Sequence, residues 1–260
     1  MNIVASIQAR MGSKRLPGKV LKNISGKPML LRHVERLRLS SLIDHIVIAT
    51  SLNPRDDLIE KFCNDHSILC FRGSENNVLN RVASLISEYN VDVHVEFCGD
   101  SPLIDFQIVD EFIDYFLKHI ANLDYVSNTL KTTYPPGQEV SVYSGQALVK
   151  LDNYLDINDP LREHVGFNIT RFTERFRIHS IEAPAKFNYP DIYLEVDTEN
   201  DLELIQLIFK YFLDSSINYF SLSQIIELLL SHPEWVELNK VSAELAFDHN
   251  LILNNGIEYL

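Results

Sequence analysis

The chain has 260 residues, of which 46% are hydrophobic and 23% are charged, a composition typical of one large globular domain or of one domain with an appendage. Its formal net charge of -13 argues against general binding to nucleic acids or anionic membranes, because both require positive charge. The three cysteines form no Cys-x-x-Cys pair, which disfavours a thiolate metal site and indicates a reducing compartment. Since neither a signal sequence nor an apolar run of about 20 residues is present, we expect a cytoplasmic protein.

Apolar runs of strand length alternate with amphipathic runs of helix length in the first half of the chain. We expect strands at 2–7, 43–50, 68–71, 91–97 and 124–127, and helices at 28–39, 56–66, 78–89 and 105–119. This order predicts a three-layer α/β/α fold with a mostly parallel, Rossmann-like sheet. Strands that are apolar throughout fit burial of both faces of that sheet.

The second half of the chain has a different pattern. Residues 139–143 alternate like an antiparallel strand, 175–183 and 192–196 resemble further strands, and 199–213 is a strong helix. Residues 221–230 and those from 233 onward predict a helical tail. We therefore divide the chain into a main domain at 1–214 and a helical extension at 215–260, packed on that domain or on a partner.

The first strand runs directly into a basic loop, residues 8–19. This loop places Arg10, Lys14, Arg15 and Lys19 around two glycines and a proline, at the strand end where open α/β sheets bind ligands. Such cations can neutralise a polyphosphate, although a solvated basic turn would have the same composition. A Walker A loop is rejected, because Val20 follows the lysine and 20–24 looks extended.

Two aspartates at predicted strand ends are candidate Mg²⁺ ligands. Asp100 follows the strand at 91–97 in a glycine-containing turn, and Asp197 follows the strand at 192–196. Asp100 could equally be a turn residue, whereas Asp105 fits a helix cap better. Thr198 with Asp201 is close to a capping box, which leaves Asp197 without an obvious local role. Weaker signals are Gly137-Gln138-Glu139 and Arg162-Glu163-His164, the latter being typical of an exposed helix surface.

Six motifs in order give the chain a family resemblance: A-R-x-G-S-x-R-L-P-G-K, G-K-P-M-L, F-R-G-S, G-D-x-P-L-I-D, R-E-H-V and V-D-T-x-x-D-L. Together they resemble the cytidylyltransferases that activate acidic sugars, namely CMP-Kdo and CMP-sialic acid synthetases, and in particular the branch of spore coat polysaccharide biosynthesis protein F. The resemblance implies a nucleotidyltransferase fold of GT-A type, CTP as donor, Mg²⁺ as cofactor and a homodimer.

The resemblance also assigns residues to roles. Those implied to bind the nucleotide are Gln8, Ala9, Arg10, Gly12, Ser13, Lys14, Arg15, Lys19, Arg72, Asn80 and Arg81, with Arg72 at the cytosine. Asp100 and Asp197 would bind the metal, and Lys19, Arg15 and Asp100 would act in catalysis. Gln138, Glu139, Arg162 and His164 would face the acceptor. Gln8 stands where the Kdo and sialate enzymes have proline, and those enzymes lack R-E-H-V, so the acceptor is left open.

The expected reaction transfers CMP from CTP to a hydroxylated acidic sugar and releases pyrophosphate, in the biosynthesis of a surface polysaccharide or glycan. Two alternatives stay open at this point. One is a nucleotidyltransferase that uses another nucleoside triphosphate with a sugar phosphate or alcohol phosphate. The other is a non-catalytic nucleotide-binding subunit, although the loop cations and both aspartates are present.

Overall fold

The computed structural model describes residues 1–245, and their order is that of an α/β fold. The strands are β1 Ile3–Gln8, β2 Asn23–Ile24, β3 Lys27–Pro28, β4 His45–Ser51, β5 Leu69–Gly73, β6 Val93–Cys98, β7 Tyr125–Ser127, β8 Ser141–Ser144 and β9 Ile178–Ser180. The α-helices are α1 Met29–Leu37, α2 Asp57–Asp65, α3 Val78–Glu88, α4 Phe106–Lys118, α5 Gly145–Tyr154, α6 Val165–Thr170, α7 Glu199–Asp214, α8 Leu222–Ser231 and α9 Pro233–Val236.

The main sheet has seven strands in the order β5-β4-β1-β6-β8-β7-β9. β5, β4, β1 and β6 are parallel neighbours, whereas β8 is antiparallel to both β6 and β7. The expected mostly parallel sheet with a small antiparallel addition is therefore confirmed. Because β1 lies between β4 and β6, the loop that follows it lies at the centre of the carboxyl edge.

Helices cover both faces of the sheet, each with its own apolar core. α1, α2, α4, α7 and α8 contribute buried side chains to one core, and α3, α5 and α6 contribute to the other. Successive residues of β1 alternate between the two, with Ala5 and Ile7 in the first core and Val4 in the second. This explains why β1 is apolar throughout, since both of its faces are buried.

Two of the expected strands differ in the structure. Residues 192–196 form no strand, because the N–H groups of Leu194 and Val196 donate to the carbonyl groups of Pro136 and Asp100 rather than to a sheet ladder. The strand expected at 175–183 shortens to β9, and the extended segment expected after Lys19 begins with a 3₁₀ turn at Lys19–Leu21. Helices α5 and α6 were not predicted.

Residues 215–245 pack on the rest of the fold. Phe220 is fully buried and stacks on Phe212 of α7 at a ring-centroid distance of 4.1 Å. Arg36 of α1 donates to the carbonyl groups of Ile104 and Phe220, and thereby joins the β6–α4 loop to the residues before α8. Residues 246–260 of the expected extension lie outside the described part. No helix within residues 1–245 combines the length and apolar character that a membrane span needs.

Candidate active site

The basic loop after β1 is held in shape by its own backbone and by one buried carboxylate. Gly18 N–H donates to the Met11 carbonyl over 3.1 Å, and its φ of +68° is the left-handed conformation that glycine adopts without strain. Asp56 is fully buried, accepts from Met11 N–H over 2.7 Å and accepts from the Ser51 hydroxyl. The loop therefore has a fixed path from β1 to Lys19.

Asp56 was missed in the sequence, although its position carried a signal. It lies a few residues beyond the carboxyl end of β4, which neighbours β1 in the sheet. A polar residue at that edge is well placed to bond a loop that leaves the adjacent strand.

Asp100 and Asp197 are brought together by the backbone. Gly99 N–H donates to the Gln8 carbonyl over 2.9 Å, and a Cβ on Gly99 would lie 2.8 Å from that oxygen, so glycine is required there. Val196 N–H donates to the Asp100 carbonyl over 2.9 Å, which fixes the two acidic segments side by side. The predicted capping box of Thr198 and Asp201 is present, and Asp201 also accepts from Asp197 N–H.

Lys19 lies between the two carboxylates. Its Nζ is 2.8 Å from Asp100 Oδ2 and 2.8 Å from Asp197 Oδ1, and Arg15 Nη2 is 2.7 Å from Asp197 Oδ2. Burial by itself would lower the pKa of Lys19, but the two carboxylates outweigh it and raise the pKa above its ordinary value. Burial likewise acts to raise the pKa of Asp197, and Lys19 reverses this so that the pKa is lowered. Lys19 and Asp197 are therefore charged at neutral pH.

A second pair of carboxyl groups lies next to this cluster. Glu139 and Glu195 share a hydrogen bond, and burial followed by repulsion from neighbouring carboxylates raises the pKa of both. The Tyr193 hydroxyl donates to Glu195 over 3.0 Å and to Asp197 over 2.8 Å. Tyr193 and Glu195 were missed in the sequence, although the alternation in Tyr-Leu-Glu-Val-Asp places residues 193, 195 and 197 on one side of an extended segment.

These side chains open into a cleft of about 510 Å³. Most of its lining residues carry a polar group, and these include Arg15, Asn128, Thr129, Thr132, Tyr134, Glu139, Tyr193, Glu195 and Asp197. Pro136, Leu245 and the tyrosine rings add apolar surface to the same lining. Hydroxyl, amide and carboxyl groups around a cavity of this size suit a small polyhydroxylated molecule. Lys19, Arg15, Asp100 and Asp197 together form the Lys19 cluster. The cleft borders this cluster through Asp197 and Arg15.

Other candidate nucleotide residues lie along the loop or beside β1. Arg10 pairs with Glu163 at 3.0 Å, the Ser13 hydroxyl accepts from Leu16 N–H, and Lys14 is exposed. Gly12 lies against the Arg55 guanidinium, 2.7 Å from where a Cβ would be. Ala9 is buried, and its N–H donates to the Ala49 carbonyl, which ties the start of the loop to β4.

Gln8 and Arg81 form a polar pair on the α3 face of the sheet. The Gln8 side-chain oxygen accepts from Arg81 Nη2 over 2.9 Å, and Arg81 Nη1 donates to the Ser74 carbonyl over 2.7 Å. Arg81 is 4% exposed, and burial lowers its pKa to about 10. The guanidinium therefore positions the end of β1 next to the loop.

Arg72 and Asn80 are directed elsewhere. The Arg72 guanidinium pairs with Asp57 and Glu60 of α2 at 2.8 and 2.9 Å, on the opposite face of the sheet from Arg81. Asn80 donates to Asp152 of α5 over 3.0 Å. These contacts join elements of the fold and lend no support to the expected contact between Arg72 and cytosine.

The acceptor residues expected from the resemblance do not come together. Gln138 is fully buried, accepts from Asp105 N–H and donates to the Leu103 carbonyl. Arg162 is 3% exposed and pairs with Asp152. His164 is exposed and precedes α6. Of the four, only Glu139 lines the cleft, because the other side chains point into the fold or lie away from the cavity.

The donor set suits a hard divalent cation. Asp100 Oδ1 is buried and has no hydrogen-bond partner, so one carboxylate oxygen of the cluster is unused within the protein. Among residues 1–245 no group of three or more His, Cys, Asp or Glu side chains forms a complete ligand set. Two carboxylates with substrate phosphate and water are the usual environment of Mg²⁺, so the residues present fit this ion.

Comparison with known proteins decides the family. The sequence profile described as Cytidylyltransferase matches residues 4–233. The chain belongs to the cytidylyltransferase family. This cytidylyltransferase is 32% identical over 213 residues to the spore coat polysaccharide biosynthesis protein SpsF of Bacillus subtilis, covering 80% of this chain and 87% of that protein. The resemblance found in the motifs is confirmed.

Solved structures agree with this assignment. A cytidylyltransferase from Leptospira borgpetersenii superposes with a TM-score of 0.83 at 31% identity, covering 91% of this chain and 97% of that one. CMP:2-keto-3-deoxy-manno-octonic acid synthetase in complex with CTP gives a TM-score of 0.64 at 18% identity, covering 81% and 99%, and so shares the fold. The enzyme is thus a nucleotidyltransferase whose Lys19 cluster and cleft lie at the carboxyl edge of the sheet.

Proposed function

We propose that this cytidylyltransferase transfers CMP from CTP to a hydroxylated acidic sugar, with release of pyrophosphate, in the biosynthesis of a surface polysaccharide or glycan. One observation carries the proposal: Lys19, Asp100 and Asp197 meet at the edge of the sheet, directly beside a polar cleft. The charges suit a metal-bound triphosphate, and the cleft suits an acceptor with many hydroxyl groups. The similarity to SpsF supports the polysaccharide context.

Asp100 and Asp197 would hold Mg²⁺ through their carboxylate oxygens. When bound, this ion neutralises phosphate charge and lowers the pKa of a hydroxyl that it contacts. The chain supplies two carboxylates whose spacing is fixed by the hydrogen bond between Val196 N–H and the Asp100 carbonyl. Tyr193 orients Asp197 by donating to its Oδ2.

The basic loop would bind the triphosphate. Lys19 and Arg15 are the cations next to the aspartates, and Arg10 and Lys14 lie further along the same loop. The acceptor hydroxyl loses its proton to solvent, and its oxygen attacks the α-phosphorus in line. A new P–O bond forms, the bond from the α-phosphorus to the bridging oxygen of the β-phosphate breaks, and pyrophosphate leaves with that oxygen. Fixed cations at the leaving group act by positioning and by stabilising the charge that develops on pyrophosphate.

The cleft beyond Asp197 would receive the acceptor. Asn128, Thr129 and Thr132 offer hydrogen-bonding groups to sugar hydroxyls. Arg15 also lines the cleft, and its positive charge is available to the carboxylate of an acidic sugar. Glu139 and Glu195 accept hydrogen bonds from hydroxyl groups. Homodimer formation and a cytoplasmic location stay predictions.

The decisive experiment measures pyrophosphate release with CTP, UTP, GTP and ATP, each combined with a panel of ulosonic acids and Mg²⁺. We expect release with CTP and at least one ulosonic acid. Release only with another nucleotide and a sugar phosphate would contradict the proposal, and absence of Mg²⁺-dependent CTP binding in calorimetry would indicate a non-catalytic subunit.

A substitution links this activity to the site. Asp100→Asn should lower turnover by about 10²-fold or more, because a fixed charge at the reacting phosphate is lost. Asp114→Asn is the matched control, since Asp114 is exposed on α4 and pairs only locally with Lys118. Equal activity of the two variants would remove Asp100 from the mechanism.

A further inference from the structure

Three cations of the basic loop are paired with carboxylates of the protein itself. Lys19 contacts Asp100 and Asp197, Arg15 contacts Asp197, and Arg10 contacts Glu163. The proposed triphosphate and metal would need these same groups. Lys19 is the most enclosed of the three, with 11% of its side chain exposed, compared with 60% for Arg15 and 45% for Arg10.

We propose that Lys19 is an internal counter-ion that occupies the space between Asp100 and Asp197 until the divalent cation and the triphosphate bind together. This inference rests on the proposed function, because it takes the two aspartates as metal ligands. If Lys19 occupies this space, the metal and the nucleotide each bind weakly when the other is absent. Each of them then strengthens the binding of the other.

The charges of the cluster explain this dependence. Asp100 and Asp197 contribute two negative charges, which Lys19 and Arg15 balance. A divalent cation that enters alone is placed beside the Lys19 ammonium, and the two positive groups repel each other. A triphosphate that enters alone must draw Lys19 away, which leaves Asp100 without its cation, leaves Asp197 with Arg15 alone, and places both carboxylates next to phosphate. Charges left without partners in a partly buried site are costly.

When both ligands bind, the partners are exchanged. The metal takes the carboxylates and the phosphates take Lys19, so that Lys19, Asp100 and Asp197 each keep a partner of opposite charge. Lysine suits this exchange because its ammonium is a compact charge on a flexible stem, whereas arginine favours a fixed bidentate geometry. The Lys19 backbone stays in place meanwhile, since its N–H donates to the Leu16 carbonyl across the turn that contains Gly18.

The first test measures binding of Mn²⁺ to the nucleotide-free enzyme by electron paramagnetic resonance. Lys19→Met should bind Mn²⁺ roughly tenfold more tightly than the wild type, because the competing ammonium is absent. Lys22→Met is the matched control, since Lys22 pairs with Glu199 outside the cluster, and it should bind as the wild type does. Equal or weaker Mn²⁺ binding by Lys19→Met would overturn the proposal.

The second test measures binding of CTP in the presence of EDTA by calorimetry. Asp197→Asn should bind metal-free CTP several-fold more tightly than the wild type, because Lys19 is released and one repulsive charge is removed. Unchanged or weaker binding would contradict the exchange of partners. If the wild type binds no CTP even with Mg²⁺, the proposed function fails, whereas the Mn²⁺ comparison still reports on the counter-ion alone.

Discussion

At the scale of single residues, the acidic side chains of the interior differ in how their charge is compensated. Asp100 and Asp197 have Lys19 within 2.8 Å, whereas the Glu96 side chain on β6 accepts from the neutral Tyr143 hydroxyl over 2.9 Å. Burial raises the pKa of Glu96 to about 7, although Tyr143 and the positive charge of Arg81 oppose this rise. Glu96 therefore changes its protonation near neutral pH.

This shift makes stability depend on pH. The pKa of Glu96 is about 7 in the folded state against an ordinary value of 4.5, so between these values the folded state binds more protons than the unfolded state. The free energy of unfolding then falls as pH rises through this window. Relative to the wild type, the free energy of unfolding of Glu96→Gln should rise by on the order of 2 kcal/mol between pH 5 and pH 8.

Urea unfolding at several pH values measures this gain. Glu88→Gln serves as the control, because Glu88 is exposed at the end of α3. The difference in free energy of unfolding between this variant and the wild type should be the same at every pH. A Glu96→Gln curve that runs parallel to that of the wild type would show that Glu96 does not titrate in this window.

Only some of the site could be predicted from single residues. Lys19, Asp100 and Asp197 were found because each lies where a buried segment gives way to a polar loop, but their meeting depends on which strands are neighbours. Arg72 and Arg162 have the right chemistry for a ligand and are used inside the fold instead. A motif shows which groups are available and does not show the direction in which they point.

At the scale of elements, periodicity predicted the helices that have a clear apolar stripe, and it failed where burial alone shaped the chain. The segment at 192–196 is rich in apolar residues, yet the N–H groups of Leu194 and Val196 donate to the Pro136 and Asp100 carbonyls rather than to a neighbouring strand. Gly137 has a φ of +99°, and a Cβ at this position would lie 2.7 Å from the Leu194 carbonyl carbon, so glycine lets the two backbones approach closely here. No local sequence pattern distinguishes a strand from such a segment, which bonds to loops rather than to a sheet.

Arg162 connects three elements, and its role can be tested. Its guanidinium pairs with Asp152 of α5 and donates to Asn77 at the start of α3 and to the Leu155 carbonyl. Arg162→Met should lower the free energy of unfolding by about 3 kcal/mol or more, because the largely buried Asp152 loses the cation that balances its charge and keeps the amide of Asn80. Arg38→Met is the control, because Arg38 is exposed, and it should change the free energy of unfolding by about 0.5 kcal/mol at most.

Chemical denaturation measures both variants, and acceptor kinetics distinguish the two roles. A structural role predicts that any Arg162→Met enzyme that stays folded keeps its KM for the acceptor. A raised KM with unchanged stability would instead return Arg162 to the acceptor site, as the resemblance implied.

At the scale of the whole molecule, the described part of the expected extension is continuous with the core. Asp105 accepts from Leu222 N–H over 2.7 Å and from the Tyr219 hydroxyl over 2.8 Å, at the start of α4. Leu222 and Phe220 are fully buried in the same core as α1 and α7. The boundary placed at residue 214 therefore marks a change of pattern in the sequence, while residues 215–245 fold against the sheet-covering helices.

This packing predicts one cooperative unit. Calorimetry of the full chain should show a single unfolding transition, because the tail and the main body share one core. A fragment that ends at residue 214 should lack that transition, since it exposes Phe212 and removes the partners that the buried Arg36 and Asp105 have in residues 219–222. Two separate transitions in the full chain would show instead that the tail is an independent domain.

The hydrogen bond between Val196 N–H and the Asp100 carbonyl also bears on how such an enzyme can diversify. It sets the spacing of the two aspartates independently of the long stretch of chain between them. Insertions or deletions in that stretch can reshape the wall around Asn128 and Thr132 while the reacting groups keep their positions. Under the proposed function, a different acceptor can be accommodated in this way with the phosphate chemistry left intact.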